Sequence, residues 1–278
     1  MAQLSVEPND KITYKVRYED EHLLVVGKPP GIVSMPGKAH DYNSLLNGLF
    51  AVHGERLQNL GRTRDFGLLH RLDKNASGLL MVALTTKCYD AMREAFEARR
   101  VAKFYWALTR GAPNKPAGVI NRPILEYAGR SDHGDDKRVK KLAKVAASGK
   151  PAVTAYRVLA SSQVGALVEC RAVTGRLHQV RVHLDSIGCA ILGDDLYGPI
   201  SGREVAPRLA LHAHRIYFDH PITGARIDVR ATWPPDLRAT LKRVGLPRPE
   251  NALPAAKKKE EVVEELTGDL EGSSFAAE

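Results

Sequence analysis

The chain has 278 residues, enough for one large core or two smaller ones, and its 44% apolar content is ordinary for a globular protein. No apolar run is long enough for a helix to span a bilayer. Residues 1–10 lack the basic and apolar regions of a signal peptide, so the expected place is the cytoplasm. The formal charge is +9 but uneven: from Glu250 on, three Lys stand against eight acidic residues, so residues 1–249 carry +14. A basic body with an acidic tail suits an anionic partner, nucleic acid above all. Cys88, Cys170 and Cys189 form no C-x-x-C pair, which leaves no zinc knuckle or redox motif and points to reduced, packed thiols.

Taken in order, Ile12 to Tyr18 and His22 to Val26 read as strands across the turn Glu19-Asp20-Glu21. Gly27 to Gly37 carries prolines and glycines that fix an irregular loop. Ser44 to Glu55 has helical spacing (Leu45, Leu46, Leu49, Val52) behind a Ser able to cap it, and Asn59 to Phe66 is polar and reads as a loop. Leu68 to Leu72 reads as the end of a strand and Leu79 to Leu84 as another, with Lys74 to Gly78 a turn between them. That turn presents Asp73 between Arg71 and Lys74. An Asx turn would explain a lone Asp, but a carboxylate on a loop held by two buried segments is also how a catalytic group is fixed.

Thr85 to Arg100 reads as a helix capped by Thr85 or Thr86, with Cys88, Met92, Ala95 and Phe96 on its core face. In the strand Val101 to Arg110, alternation puts Phe104, Trp106 and Leu108 on the core face and Lys103, Tyr105 and Ala107 on the other. A Tyr beside a Lys is either a half-buried residue on a wet sheet face or a group that stacks on a base. Pro113 to Gly118 reads as a turn. Residues 129–150, rich in charge and poor in bulky apolar groups, read as an exposed insertion or hairpin arm whose cations could meet phosphates. Pro151 to Ala160 and Val164 to Ala172 read as paired strands. Leu177, Val180, Leu184 and Ile187 then recur at helical spacing, with Thr174 able to cap the start and Gly188 to end it. On that helix Arg176, Gln179 and His183 would fall near one another, and an anion-facing surface explains two Arg and two His there better than a core does. Gly193 to Gly198 is turn-rich, Leu209 to Phe218 is a strand, Ala225 to Ala231 pairs back on it, and Pro235 to Val244 is a short helix. Residues 250–278 have the composition of a charged, disordered tail, with a short helix conceivable around Glu260 to Leu266.

Several of these stretches carry a family resemblance. HRLDKNASGLLMVAL from His70 resembles the HRLD-x-x-(T)SGLLL motif of the RluA-like RNA pseudouridine synthases, with Asn75 and Ala76 where an acidic residue and Thr are common. YEDEHLLVVGKPPGIVSMPG from Tyr18 resembles their opening strand and K-P-x-G loop, Lys103-Phe104-Tyr105 their K-x-Y, GRLHQVRVH from Gly175 their G-R-x-H-Q-(I/V)-R-x-H, and GDDLYG from Gly193 their G-D-x-x-Y-G. The resemblance runs from Tyr18 to Ala231. It implies that Asp73 is the catalytic aspartate, Tyr105 the active-site tyrosine and Arg181 the arginine paired with Asp73. It further implies that His70, Arg71, Lys103, Arg176, His178 and Gln179 support the site and the RNA, and that Leu211, in Leu211-His212-Ala213, supplies an apolar side chain against the target base. The implied fold is α+β (mixed α/β): residues 1–249 form one catalytic domain, with a long, mostly antiparallel bent sheet flanked by helices and a central basic cleft, in the form lacking the N-terminal S4 RNA-binding domain.

Pseudouridine formation detaches uracil from C1′, turns it and rejoins it through C5. No water is activated and nothing is oxidised, so neither metal nor cofactor is required. One carboxylate does what glycosidases divide between two, because the leaving base returns. Asp73 would serve as nucleophile at C1′ or as a base on the sugar. The expected partner is RNA, ribosomal or transfer, with no membrane, no required protein partner and a monomeric state. Two rivals stand beside this. A zinc hydrolase would use His70, His178, His183, His212 and His214, of which His212 and His214 point to one strand face, but H-E-x-x-H spacing is absent. A non-catalytic RNA-binding or assembly protein would bind RNA equally well, and only activity separates it from the enzyme.

Overall fold

The computed structural model describes residues 4–37, 40–129, 140–198 and 205–252. The expected tail from residue 253 on, including the helix around Glu260, and residues 130–139 of the expected insertion lie outside them. The architecture is α+β. Its centre is a nine-stranded sheet built from β1 (Lys15–Glu19), β2 (Leu23–Lys28), β3 (Ser77–Ala83), β4 (Ala102–Thr109), β5 (Ala117–Asn121), β8 (Val153–Ser161), β9 (Ala166–Ala172), β10 (Leu211–Asp219) and β11 (Arg226–Arg230). The order is β1-β2-β3-β10-β4-β9-β8-β5, with β11 on β10. A separate antiparallel pair, β6 (Ile124–Gly129) and β7 (Lys140–Val145), stands off it.

All pairs in the large sheet are antiparallel except β3 with β10, which meet only at His212↔Ser77 and Ala213↔Gly78. This short parallel seam joins the two halves of the sheet. It depends on Gly78: at φ +116 a side chain is strained, and a Cβ there would sit 2.2 Å from the Ala213 carbonyl oxygen. The chain arrives at this seam directly from the Asp73 turn, so the close backbone approach at Gly78 anchors the loop that carries the carboxylate.

Helix α1 (Leu45–Leu60) starts where expected. Ser44 and Asn47 form a reciprocal capping box, satisfying two end groups of the helix. It runs beyond Glu55 because Leu57 and Leu60 continue the buried stripe with Leu46, Leu49 and Phe50. The expected loop from Asn59 is therefore helix to Leu60, followed by a 3-10 turn over Arg62–Gly67. Helix α2 (Thr86–Glu97) is capped by the Thr85 hydroxyl and buries Cys88, Met92 and Ala95 as the spacing predicts. Each fully buried Leu or Met of this core contributes about 1.5–3 kcal/mol of transfer free energy.

Four expectations are corrected. Leu68 to Leu72 is not a strand: one bridge, Leu68↔Val82, forms, and the next donor, the Met81 N–H, goes to the His70 imidazole. Of the two readings of residues 129–150, the hairpin arm holds for residues 140–145, which form strand β7 against β6, but the arm is not wholly exposed: Leu142 and Ala143 are buried, and Ala143 packs with Ile124, Ala152 and Val182 in a second small core. The Tyr105 face of β4 is not wet: Tyr105 is only 8% exposed, so both faces are covered. Helix α3 (Gln179–Asp185) starts five residues after Thr174, because His178 takes a left-handed conformation (φ 51) that no α-helix contains. Among the described residues no helix is long and apolar enough to cross a membrane. The three cysteines are buried and free.

Candidate active site

The Asp73 turn is held from beneath by the prolyl loop after β2. Lys28, 1% exposed, donates from its ammonium to the carbonyls of Pro29, Ile32 and Lys74, which compensates a burial that would otherwise be costly. Burial brings its pKa down to about 7 against the opposing pull of Asp73. The Ser34 hydroxyl donates to the Leu72 carbonyl and accepts from the Leu72 N–H, both at 3.0 Å, and Gly31 N–H reaches the Lys74 carbonyl at 2.9 Å. The turn itself closes through Ala76 N–H to the Asp73 carbonyl. The carboxylate is therefore left for another partner, which an Asx turn would not allow.

That partner is Arg181 on α3. Its Nη1 donates to Asp73 Oδ2 at 3.0 Å, while Nε and Nη2 grip Asp194 at 2.8 and 2.7 Å and Nη2 touches Asp195 at 3.4 Å. The Arg181 and Asp194 side chains are 4% and 1% exposed, and Asp73 keeps 22% of its side chain open. Burial opposes the guanidinium charge, but the Asp194 bonds and then Asp73 more than offset it and hold the Arg181 pKa above its ordinary value. A planar fork bound on two edges has one remaining direction for Nη1, so Asp194 aims Arg181 at Asp73. Asp194 was not singled out by the sequence. Its signal was the G-D-x-x-Y-G match, in which the aspartate was given no role.

The other expected site residues divide. Tyr105 and Leu211 line the cleft above Asp73. Burial first, and the Asp73 charge second, raise the Tyr105 pKa, so it is a neutral phenol. His178 lies with Nε2 4.0 Å from Asp73 Oδ1 and Nδ1 2.7 Å from the Tyr197 hydroxyl. Lys103 extends along the cleft with Nζ 5.0 Å over the Phe96 ring, its pKa brought down to about 8 by burial and then by Arg93. Arg71 is exposed at the cleft, and Arg176 binds the Pro151 carbonyl at 3.0 Å. His70 lines the cleft but is committed to the Met81 N–H, and burial brings its pKa down to about 3, so it carries no charge for a phosphate.

Two of the polar residues are committed to hydrogen bonds within the protein. Gln179 is 4% exposed and spends its amide on the Val153 carbonyl and the Thr154 hydroxyl, and its carbonyl on the Thr174 hydroxyl and Arg176 N–H. It braces the loop before α3 instead of offering donors to RNA. His183 is wholly buried between the Thr154 hydroxyl and the Arg122 carbonyl, so the anion-facing surface does not include it. His212 and His214 lie against Trp106, and among the described residues no three His, Cys, Asp or Glu side chains gather as a metal site.

The cleft has a volume of about 950 Å³, and its lining holds Arg71, Arg93, Arg99, Lys103, Lys141 and Arg176 against Asp65, Asp73, Glu97 and Glu126. It is large enough for a nucleotide, and its rim carries the positive charge that a phosphate backbone requires.

Comparison with known proteins agrees with the geometry. A family model described as RNA pseudouridylate synthase matches residues 22–186. The chain is 36% identical over 244 residues to a ribosomal large subunit pseudouridine synthase D from Zymomonas mobilis, covering 85% of this chain and 74% of that protein. It is 37% identical over 238 residues to an uncharacterized RNA pseudouridine synthase of Bacillus subtilis, covering 86% and 74%. Among solved structures, human RNA pseudouridylate synthase domain containing 1 superposes with TM-score 0.64 at 26% identity, over 94% of this chain and 97% of that one. Human RNA pseudouridylate synthase domain containing 4 does so with TM-score 0.63 at 27% identity, over 84% and 94%. The chain belongs to the RNA pseudouridylate synthase family, whose members are isomerases.

Proposed function

We propose that the chain converts specific uridines of large-subunit ribosomal RNA to pseudouridine, with Asp73 as the catalytic carboxylate. The observation that carries this reading is the Asp73 carboxylate, which lines a basic cleft, is bonded at 3.0 Å to a buried arginine and keeps 22% of its side chain open. Ribosomal RNA is preferred over transfer RNA because several curated relatives are named for the ribosomal large subunit.

The target uridine leaves its stack and enters the cleft, a step whose unstacking cost is offset by phosphate contacts along the rim. Arg71, Lys103 and Arg176 supply such contacts. Leu211 and the ring of Tyr105 hold the uracil, and the neutral phenol donates to it or to the ribose instead of acting as a base. Asp73, fixed by Arg181, acts at the sugar, either on C1′ directly or on a sugar proton. The freed uracil turns within the cleft and bonds to C1′ through C5; C5 then gives up its proton to solvent and N1 takes one, so the product keeps the atoms of uridine. Residues 1–249 act as one catalytic domain, and the protein works as a monomer without cofactor.

Nucleoside analysis tests this. Purified protein incubated with unmodified ribosomal or transfer RNA transcripts should convert uridine to pseudouridine in the ribosomal transcript at defined positions. Conversion confined to the transfer RNA would overturn the substrate assignment. Binding without conversion in either would overturn the catalytic one.

A further inference from the structure

Tyr197 touches both partners of Asp73. Its ring lies 5.1 Å from the Arg181 guanidinium carbon and meets the His178 ring edge-on at 5.6 Å, and its hydroxyl is 2.7 Å from His178 Nδ1. The same hydroxyl accepts the Ala143 N–H of β7 at 3.0 Å. A phenol has one proton to give. With the Ala143 N–H accepted at the oxygen, the arrangement that also uses the phenol proton directs it to His178 Nδ1 as the acceptor nitrogen. The imidazole proton is left on Nε2, the nitrogen that faces Asp73 Oδ1 at 4.0 Å. The opposite tautomer would turn a lone pair toward a carboxylate. Backbone geometry holds the ring in place for this: His178 sits at φ 51 immediately before α3, a conformation that costs energy for a non-glycine residue and persists only where the surroundings impose it.

We infer that Tyr197 is a positioning residue that fixes His178 as its Nε2–H tautomer, so that an N–H dipole faces the second oxygen of Asp73, and that it ties this arrangement to strand β7. Asp73 is thereby addressed on both oxygens, by Arg181 on Oδ2 and by His178 on Oδ1. The hydroxyl of Tyr197 is the link to His178, and the ring of Tyr197 is a separate packing contact to Arg181. Because β7 belongs to the hairpin whose Lys141 borders the cleft, the contact joins an RNA-facing element to the carboxylate. This inference rests on the proposed role of Asp73.

The test is Tyr197→Phe, which removes the hydroxyl and keeps the ring over Arg181. In 15N spectra of the RNA-free protein, with the His178 signals assigned by their loss in His178→Gln, the wild type should show the Nε2–H tautomer and Tyr197→Phe a mixture. Turnover on RNA should fall about tenfold while KM changes little, as for the loss of a group that orients a site side chain. His178→Gln, whose amide can donate from the Nε2 position, should keep more activity than His178→Asn, and Tyr197→Phe should add little further loss in the His178→Gln background. An unchanged tautomer in Tyr197→Phe, or equal losses for His178→Gln and His178→Asn, would overturn the inference. Should the wild type form no pseudouridine while the tautomer still shifts, the function proposed for the site would fail and the control of His178 by Tyr197 would stand.

Discussion

Asp194→Asn isolates the device that aims Arg181. Asp194 Oδ1 accepts the Leu196 and Tyr197 N–H groups at 2.9 and 3.1 Å as well as Arg181 Nη2, whereas among the described residues Oδ2 accepts from Arg181 Nε. An asparagine would keep its oxygen on the three-donor side, which puts its NH2 group against the Arg181 Nε–H. The change removes one charge-assisted bond, leaves a buried donor facing a donor, and takes a full charge from a pair whose side chains are 1% and 4% exposed. Breaking a buried pair costs about 3–5 kcal/mol, and because Asp73 and Asp195 remain on the same guanidinium the lower end applies. For a domain of this size that is a fall in Tm of about 6–12 °C. If the guanidinium swings with its lost anchor, displacement of the Asp73 contact lowers turnover about 100-fold. Thermal denaturation and single-turnover assays on RNA measure the two effects separately. Asp195→Asn is the internal control: that side chain is 56% exposed and 3.4 Å away, and after solvent screening its loss costs less than about 0.5 kcal/mol. Wild-type Tm and turnover in Asp194→Asn, or a larger effect from Asp195→Asn, would show that Asp194 does not aim Arg181.

Gly78→Ala should destabilise the protein by at least about 3 kcal/mol, combining strain at positive φ with a clash against the Ala213 backbone at the seam between the sheet halves, as read by chemical denaturation. Lys103 sets a pH limb: with its pKa brought down to about 8 it is charged below that pH and neutral above it. Phosphate attraction is therefore present on the acid side and lost as pH rises, so kcat/KM for RNA should fall between about pH 7 and pH 9, and Lys103→Arg, which stays protonated, should flatten that limb. Ser34→Ala removes both side-chain bonds to Leu72 beneath the Asp73 turn and should cost about 1–3 kcal/mol by denaturation, with a loss of turnover larger than the change in KM.

The parts of the fold legible in the sequence are those set by local chemistry. Ser44 and Thr85 cap α1 and α2, and the apolar stripe through Cys88, Met92 and Ala95 buries as its spacing requires. The motif residues Asp73, Tyr105, Arg181 and Leu211 do converge, although more than a hundred residues separate Asp73 from Arg181. What escaped the sequence depends on contacts that periodicity does not encode. The apolar rhythm from Leu177 to Ile187 suggested a helix from Thr174, but Thr174 and Gln179 are drawn into bonds with β8 and each other, and His178 breaks the helical path. The polar residues of that segment read as an anion-facing surface, yet His183 and Gln179 satisfy buried groups of β8 and its surroundings. The burial of Lys28 is tolerable because two carbonyls of the loop that follows it and a third from the distant Asp73 turn accept from its ammonium. Asp194 and Tyr197 were visible as matches, and only the position of Arg181 and His178 beside them gives those residues work to do.

Tritium release from C5 is the decisive assay for a uridine link remade at C5 through Asp73. RNA labelled at uracil C5 loses its label only when the glycosidic bond is rebuilt there. Wild-type protein should release tritium from ribosomal RNA, and Asp73→Asn should bind the same RNA with similar affinity and release none. Release by Asp73→Asn at the wild-type rate would contradict the account, as would tight binding by both proteins with no release from either.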